Sequence, residues 1–264
     1  MRKYWAVCCA SIQETITYRG PIVLWLISNI FSLVAIVAVW LSVSAGQTIG
    51  GYTKAELVTY YVAGLFLQWL VGWFPFFGVV REIKSGGIIS TALMRPISYF
   101  WRKFAQEFGW RIVGSLAGLI ATLIVALPLR QYLVFNFFQG SLFFLPLSII
   151  LSIFVVFSLS MCLGLLAFWF TETSAINSFF WMAKGILGGQ GIPISFIPGV
   201  FQTLIRILPF RYTFSFPLEI YFGKLSEMEI YQGIIMQFVW IMVLVQFYKL
   251  LWKRGRRVYA AFGQ

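Results

Sequence analysis

Residues 20–53 read GPIVLWLISNIFSLVAIVAVWLSVSAGQTIGGYT and carry no charged side chain. A bilayer core about 30 Å thick is crossed by about 20 helical residues, so this run is long enough to span. Residues 57–80 and 131–171 are two more charge-free runs of at least that length. Backbone N–H and C=O groups in hydrocarbon must bond one another, and the ten-residue alternation of a barrel is missing. Helices are therefore the spanning structure predicted. Of the 264 residues, 60% are hydrophobic and 11% charged, against about 25% charged in an ordinary soluble domain. The expected fold is one all-α integral membrane domain over 1–264.

Working outward, six spans are predicted, at 21–45, 57–80, 112–129, 142–170, 174–190 and 232–251. The formal net charge of +12 raises a nucleic-acid partner as an option, and the placement of the charges favours the membrane over it. Fourteen lysines and arginines lie before the first span, in 81–111 and from Lys249 onward, against five in the alternate connections. The positive-inside rule then makes both termini and the 81–111 loop cytoplasmic in a multi-pass topology. Residues 2–19 read as a helix along the inner leaflet. Tyr4, Trp5, Cys8, Cys9, Ile12 and Ile16 share one side, and Lys3, Gln13, Glu14 and Thr17 the other. Cys8, Cys9 and Cys162 fit neither metal-ligand spacing nor a disulfide framework and are expected as free thiols.

Gly114-x-x-x-Gly118 in the third span and Ser148-x-x-x-Ser152 and Ser160-x-x-x-Gly164 in the fourth suggest seams where helix backbones approach closely. Pro75 should kink the second span. After the fifth span, residues 190–217 are apolar but broken by Pro193, Pro198, Pro209 and Pro217. Backbone this irregular cannot face lipid, so 190–231 is expected to be re-entrant, packed against protein or resting at the outer surface. Lys184 is the one ionisable residue placed well inside a span. Two readings of it stand open: a contact or gate for an anionic group, or a lysine that snorkels to water at the mouth of the re-entrant segment.

The chain has no histidine, and all eight acidic residues are glutamates. Ser-His-Asp catalysis and His-ligated metals are therefore unavailable, and no metal site is expected. The pattern G-x-x-x-x-G-K-[ST] is also missing, because Gly223 and Lys224 are followed by Leu225 and preceded by Leu218 at the first glycine's place. A P-loop ATPase is excluded for this chain.

Between the second and third predicted spans, residues 85–103 read SGGIISTALMRPISYFWRK. Gly86 and Gly87 permit a sharp turn. Ile88, Ile89, Ala92 and Leu93 recur at helical spacing, with no second helix in the loop to cover them. Pro96 ends the helix at Arg95. So apolar a loop suggests a docking surface for a cytoplasmic partner.

Four stretches in this order resemble the membrane subunits of bacterial ABC type-2 exporters of the small six-span branch. They are REIKSGGIISTALMRPIS at 81–98, GQGIPISFIPG at 189–199, LPFRYTFSFPLEIYFGKLS at 208–226 and LWKRGRRVYAAFGQ at 251–264. The resemblance implies a permease in a bacterial plasma membrane. It also implies a second permease beside it, identical or a paralogue, and separate ABC ATPase subunits that bind the ATP and magnesium. The coupling segment would comprise Gly86, Gly87, Ile88, Leu93, Arg95 and Pro96. Its cargo is expected to be an amphiphilic drug, as in multidrug efflux, or a lipid-like molecule. The competing reading is a secondary transporter or channel with no ATPase; it calls for mid-span carboxylates and internal repeats, which the sequence does not display.

Overall fold

The computed structural model describes residues 2–42, 48–72, 74–88, 97–135 and 140–261. The order is α1 (Arg2–Thr17), α2 (Gly20–Ser42), α3 (Lys54–Val71), α4 (Phe76–Lys84), α5 (Tyr99–Ala126), α6 (Leu145–Leu165), α7 (Ser174–Leu187), α8 (Gly199–Ile207), α9 (Ser215–Tyr221) and α10 (Glu227–Ala261), with short 3-10 turns between them. Among the described residues there is no strand beyond one isolated bridge between Ile49 and Tyr52. The all-α expectation agrees with this.

Five segments are long and apolar enough to cross a bilayer: Gly20–Ser42, Lys54–Lys84, Tyr99–Ala126, Leu142–Phe168 and Glu227–Val258. The predicted fifth span differs. Helix α7 has 14 residues, about 21 Å at 1.5 Å per residue, short of a bilayer core by itself.

The third span starts earlier than the sequence reading put it, at Tyr99 instead of residue 112. Arg102, Lys103, Glu107 and Arg111 made 99–111 read as loop. Arg102, Lys103 and Arg111 are buried against partners in the protein, so the helix keeps them without water. Likewise α10 extends the predicted 232–251 in both directions.

Helix α3 is the centre of the bundle, with Leu57, Val58, Tyr60, Val62, Leu65 and Trp69 all buried. Its start is fixed by a capping box: the Glu56 N–H donates to the Thr53 hydroxyl, and the Thr53 N–H donates to Glu56 Oε2 at 2.8 Å. It ends at Val71, four residues before Pro75, whose ring would clash with the Val71 carbonyl if the helix ran on. Helix α5 packs on α3 through Gly118, where a Cβ would come within 2.3 Å of Trp69 Cγ. Helix α1 packs on α5 through Gly109, where a Cβ would meet the Cys8 carbonyl at 2.4 Å. The buried stripe of α1 is Cys8, Ser11 and Thr15, leaving Trp5 and Ile16 exposed. The apolar side predicted for α1 is thus divided between α5 and the surroundings. Helices α6 and α10 pair along the other side of the bundle.

Candidate functional site

The α4 to α5 connection leaves the bundle through a charged clamp. After Lys84 the chain reverses at Gly86, whose φ of +76° only glycine adopts freely. On α4, Glu82 faces three donors from α5. Arg102 and the Tyr99 hydroxyl reach Oε2 at 2.6 and 2.9 Å, and Lys103 reaches Oε1 at 2.9 Å. Two buried cations sharing one carboxylate, with its oxygens hydrogen-bonded, fix the ends of the connection against each other. The Tyr99 ring stacks on Trp252 of α10 at 4.8 Å. Ile88, expected on an open apolar face, is buried with Val79, Ile83, Tyr99 and Leu165. Leu93, Arg95 and Pro96 lie outside the described residues.

From the same place a link runs to the foot of α7. Lys84 Nζ donates to the Thr171 carbonyl at 2.5 Å. The Ser174 N–H that opens α7 donates to Glu172 Oε1 at 2.7 Å, and this bond holds the Glu172 carboxyl below the ordinary carboxylate range.

Twelve residues into α5, about 18 Å along it, Arg111 enters the break between α3 and α4. Its two terminal nitrogens donate to the Trp69 and Gly72 carbonyls. Glu107, one turn earlier, accepts from the Phe74 N–H. The break made by Pro75 is thus stitched by one helix beside it, which is how a helix interrupted in an apolar setting keeps its polar groups satisfied.

Lys184 is 2% exposed and faces the same place. Its ammonium lies over the Trp181 ring, 5.2 Å from the centroid. Among the described residues neither Lys184 nor Arg111 forms an ion pair, and the charged group acting on Lys184 is Arg111, of like sign.

These residues form the waist of a furrow along α2. One chamber, about 330 Å³, is lined by Glu14, Tyr18, Trp25, Glu107 and Trp110. The waist, about 50 Å³, shares Trp25 and Trp110 with it and adds Asn29, Gln68, Arg111 and Lys184. A third chamber, about 230 Å³, shares Asn29 and Gln68 with the waist and continues along Leu33, Ile36, Leu65 and Gln190. The far end is closed by the segment after α7. Tyr60 donates to the Gly189 carbonyl at 2.7 Å and Tyr61 to the Gly191 carbonyl at 2.9 Å. Arg211 pairs with Glu219 at 2.5 Å in a buried bridge that also lies over the Phe216 ring.

A family model described as ABC-2 family transporter protein matches residues 24–263. The chain belongs to that family. No curated protein matches it.

In this ABC-2 transporter chain, the residues singled out in the sequence fall in separate places. Gly86, Gly87 and Ile88 sit at the clamp, Glu14 and Lys184 at the furrow, and Trp5 on the exposed side of α1. Ile12 is half-buried on the same helix. Gly118 lies against Trp69, whereas the nearest neighbour of Gly114 is Trp110 of its own helix. Pro193 precedes the 194–196 turn, Pro198 precedes α8, and Pro209 stands between α8 and the 211–213 turn.

Sequence reading missed Arg111 as an interior charge, and with it Glu82, Glu107, Tyr60, Tyr61 and the Arg211 with Glu219 bridge. One signal for Arg111 was available. Glu107 and Arg111 are one turn apart, directly before an apolar run, a spacing that suits a helix better than a loop.

Proposed function

We propose that this multi-pass transporter chain is the permease subunit of an ATP-driven ABC exporter in a bacterial plasma membrane. In this reading it crosses six times with both termini cytoplasmic. Helix α7 and the broken segment behind it form the short fifth crossing and a re-entrant cap. The segment over 85–96 meets a separate ATPase, and a second permease completes the path for an amphiphilic drug or lipid-like cargo.

The observation that carries the reading is the furrow. It runs from Glu14 past Arg111 and Lys184 to Gln190, and walls from α2, α3, α5 and α7 enclose it on one side only. Half a conduit is what one of two facing permeases supplies. The clamp supports the energy input. A push on the connection after Gly86 is delivered to α4 and α5 through Glu82, and to the foot of α7 through Lys84.

The test is transport of an amphiphilic dye by membrane vesicles containing the chain and its ATPase. Gly86→Pro, which cannot adopt the φ of this turn, should abolish transport while leaving membrane insertion and vesicle ATP hydrolysis measurable. Transport that survives ATP depletion and stops when the proton gradient is collapsed would favour the secondary-transporter reading instead.

A further inference from the structure

The geometry points to the waist of the furrow as a binding site for the anionic head group of an amphiphile, a phosphate, sulfonate or carboxylate held against Lys184 and Arg111. This deepens the exporter reading and rests on it for the statement that the bound molecule is cargo.

A lysine ammonium withdrawn from water is costly unless a counterion or a set of acceptors replaces its hydration. Lys184 has neither. Among the described residues its ammonium makes no hydrogen bond and no carboxylate pairs with it; the ring of Trp181 lies beneath it. Arg111, which lines the same cavity, adds charge of the same sign, and its Nε is buried with no partner.

On the furrow, Glu107 accepts from the Phe74 N–H and attracts Arg111 without closing to an ion pair. Two like charges thus line one cavity, and among the described residues no carboxylate closes to an ion pair with either. A cationic guest is repelled there despite the aromatic walls, and an anion supplies the missing charge.

The cavity also sets what the anion is attached to. At about 50 Å³ the waist takes a head group and little more. Asn29 and Gln68 carry amides at the junction with the third chamber, and the Gln190 side-chain nitrogen farther along is buried without a partner. Beyond them the wall is Leu33, Ile36, Leu65 and Phe214. Charged residues at one end, amides next and hydrocarbon beyond match an anionic head followed by an acyl or alkyl chain.

The experiment uses the full chain with its partner subunits in nanodiscs of zwitterionic lipid. Dodecyl phosphate, dodecyltrimethylammonium and inorganic phosphate are titrated in parallel by calorimetry. The expected result is saturable binding of dodecyl phosphate, at least tenfold weaker binding of inorganic phosphate, and none of the cationic probe at this site. Lys184→Gln should weaken dodecyl phosphate at least tenfold, and Lys184→Arg should keep it within about threefold.

Binding unaffected by Lys184→Gln, or equal binding of the cation, would overturn the proposal. Inorganic phosphate as tight as dodecyl phosphate would overturn the amphiphile. If Lys184→Gln instead releases the second permease, the counterion belongs to that chain and the proposal is overturned. Charge-selective binding without ATP-dependent movement of dodecyl phosphate would keep the site and sink the exporter reading.

Discussion

Arg111 and Lys184 line one cavity and are treated in opposite ways by their surroundings. Arg111 is spent on structure, because its guanidinium donates to the Trp69 and Gly72 carbonyls at the α3 break. Arg111→Met should cost about 2–4 kcal/mol, since it strands buried acceptors. Lys184 satisfies nothing, so Lys184→Met should raise the unfolding temperature of the ligand-free protein, by about 1–4 kcal/mol in stability, while transport falls. Thermal unfolding of both variants in detergent checks the pair, and a loss of stability in Lys184→Met would contradict the unpaired state described here. The sequence marks Lys184 because nothing charged stands near it along the chain. It conceals Arg111, because the partners that permit its burial are backbone carbonyls, which have no signature in sequence.

At the level of elements, α4 is the piece that connects the clamp to the furrow. It is tied to the foot of α7 by the Lys84 bond to the Thr171 carbonyl. Lys84→Ala should leave ATP hydrolysis by the complex within about twofold and lower transport severalfold, because the push would reach α5 and no longer α7; the two rates measured on the same vesicles decide it. Around Gly118 the α3 and α5 seam is held by close packing. Gly118→Ala forces a Cβ into the Trp69 side chain and should cost about 1–3 kcal/mol by overpacking, read as a shift in denaturation midpoint.

Helices α2, α3, α6 and α10 were legible from apolar runs between charges. Helix α5 was legible only in its second half, since the charges of its first half face Glu82 and the α3 break, and sequence alone assigns charges to water. Helix α7 was legible in position and overestimated in length. The glycines from Gly185 to Gly191 extend the apolar run without extending the helix, which stops at Leu187.

For the whole molecule the furrow distinguishes two sides of α2. Ser32 lines the third chamber, and Phe31 next to it is exposed away from the core. In a Cys9→Ser background, Ser32→Cys should react with a membrane-impermeant thiol reagent and Phe31→Cys should not; a Ser32→Cys that stays unlabelled would mean that the furrow holds no water.

The sequence by itself determined that this is a helical membrane chain of the ABC-2 kind, with no histidine, no G-x-x-x-x-G-K-[ST] pattern and a sharp glycine turn in its charged loop. Those properties follow from composition, from runs of residues and from motifs, all of which are local along the chain. Only the tertiary structure decided which charges are consumed and which are left over. Burial of a charge depends on partners from distant segments: Glu82 for Arg102 and Lys103, the Trp69 and Gly72 carbonyls for Arg111, and none among the described residues for Lys184.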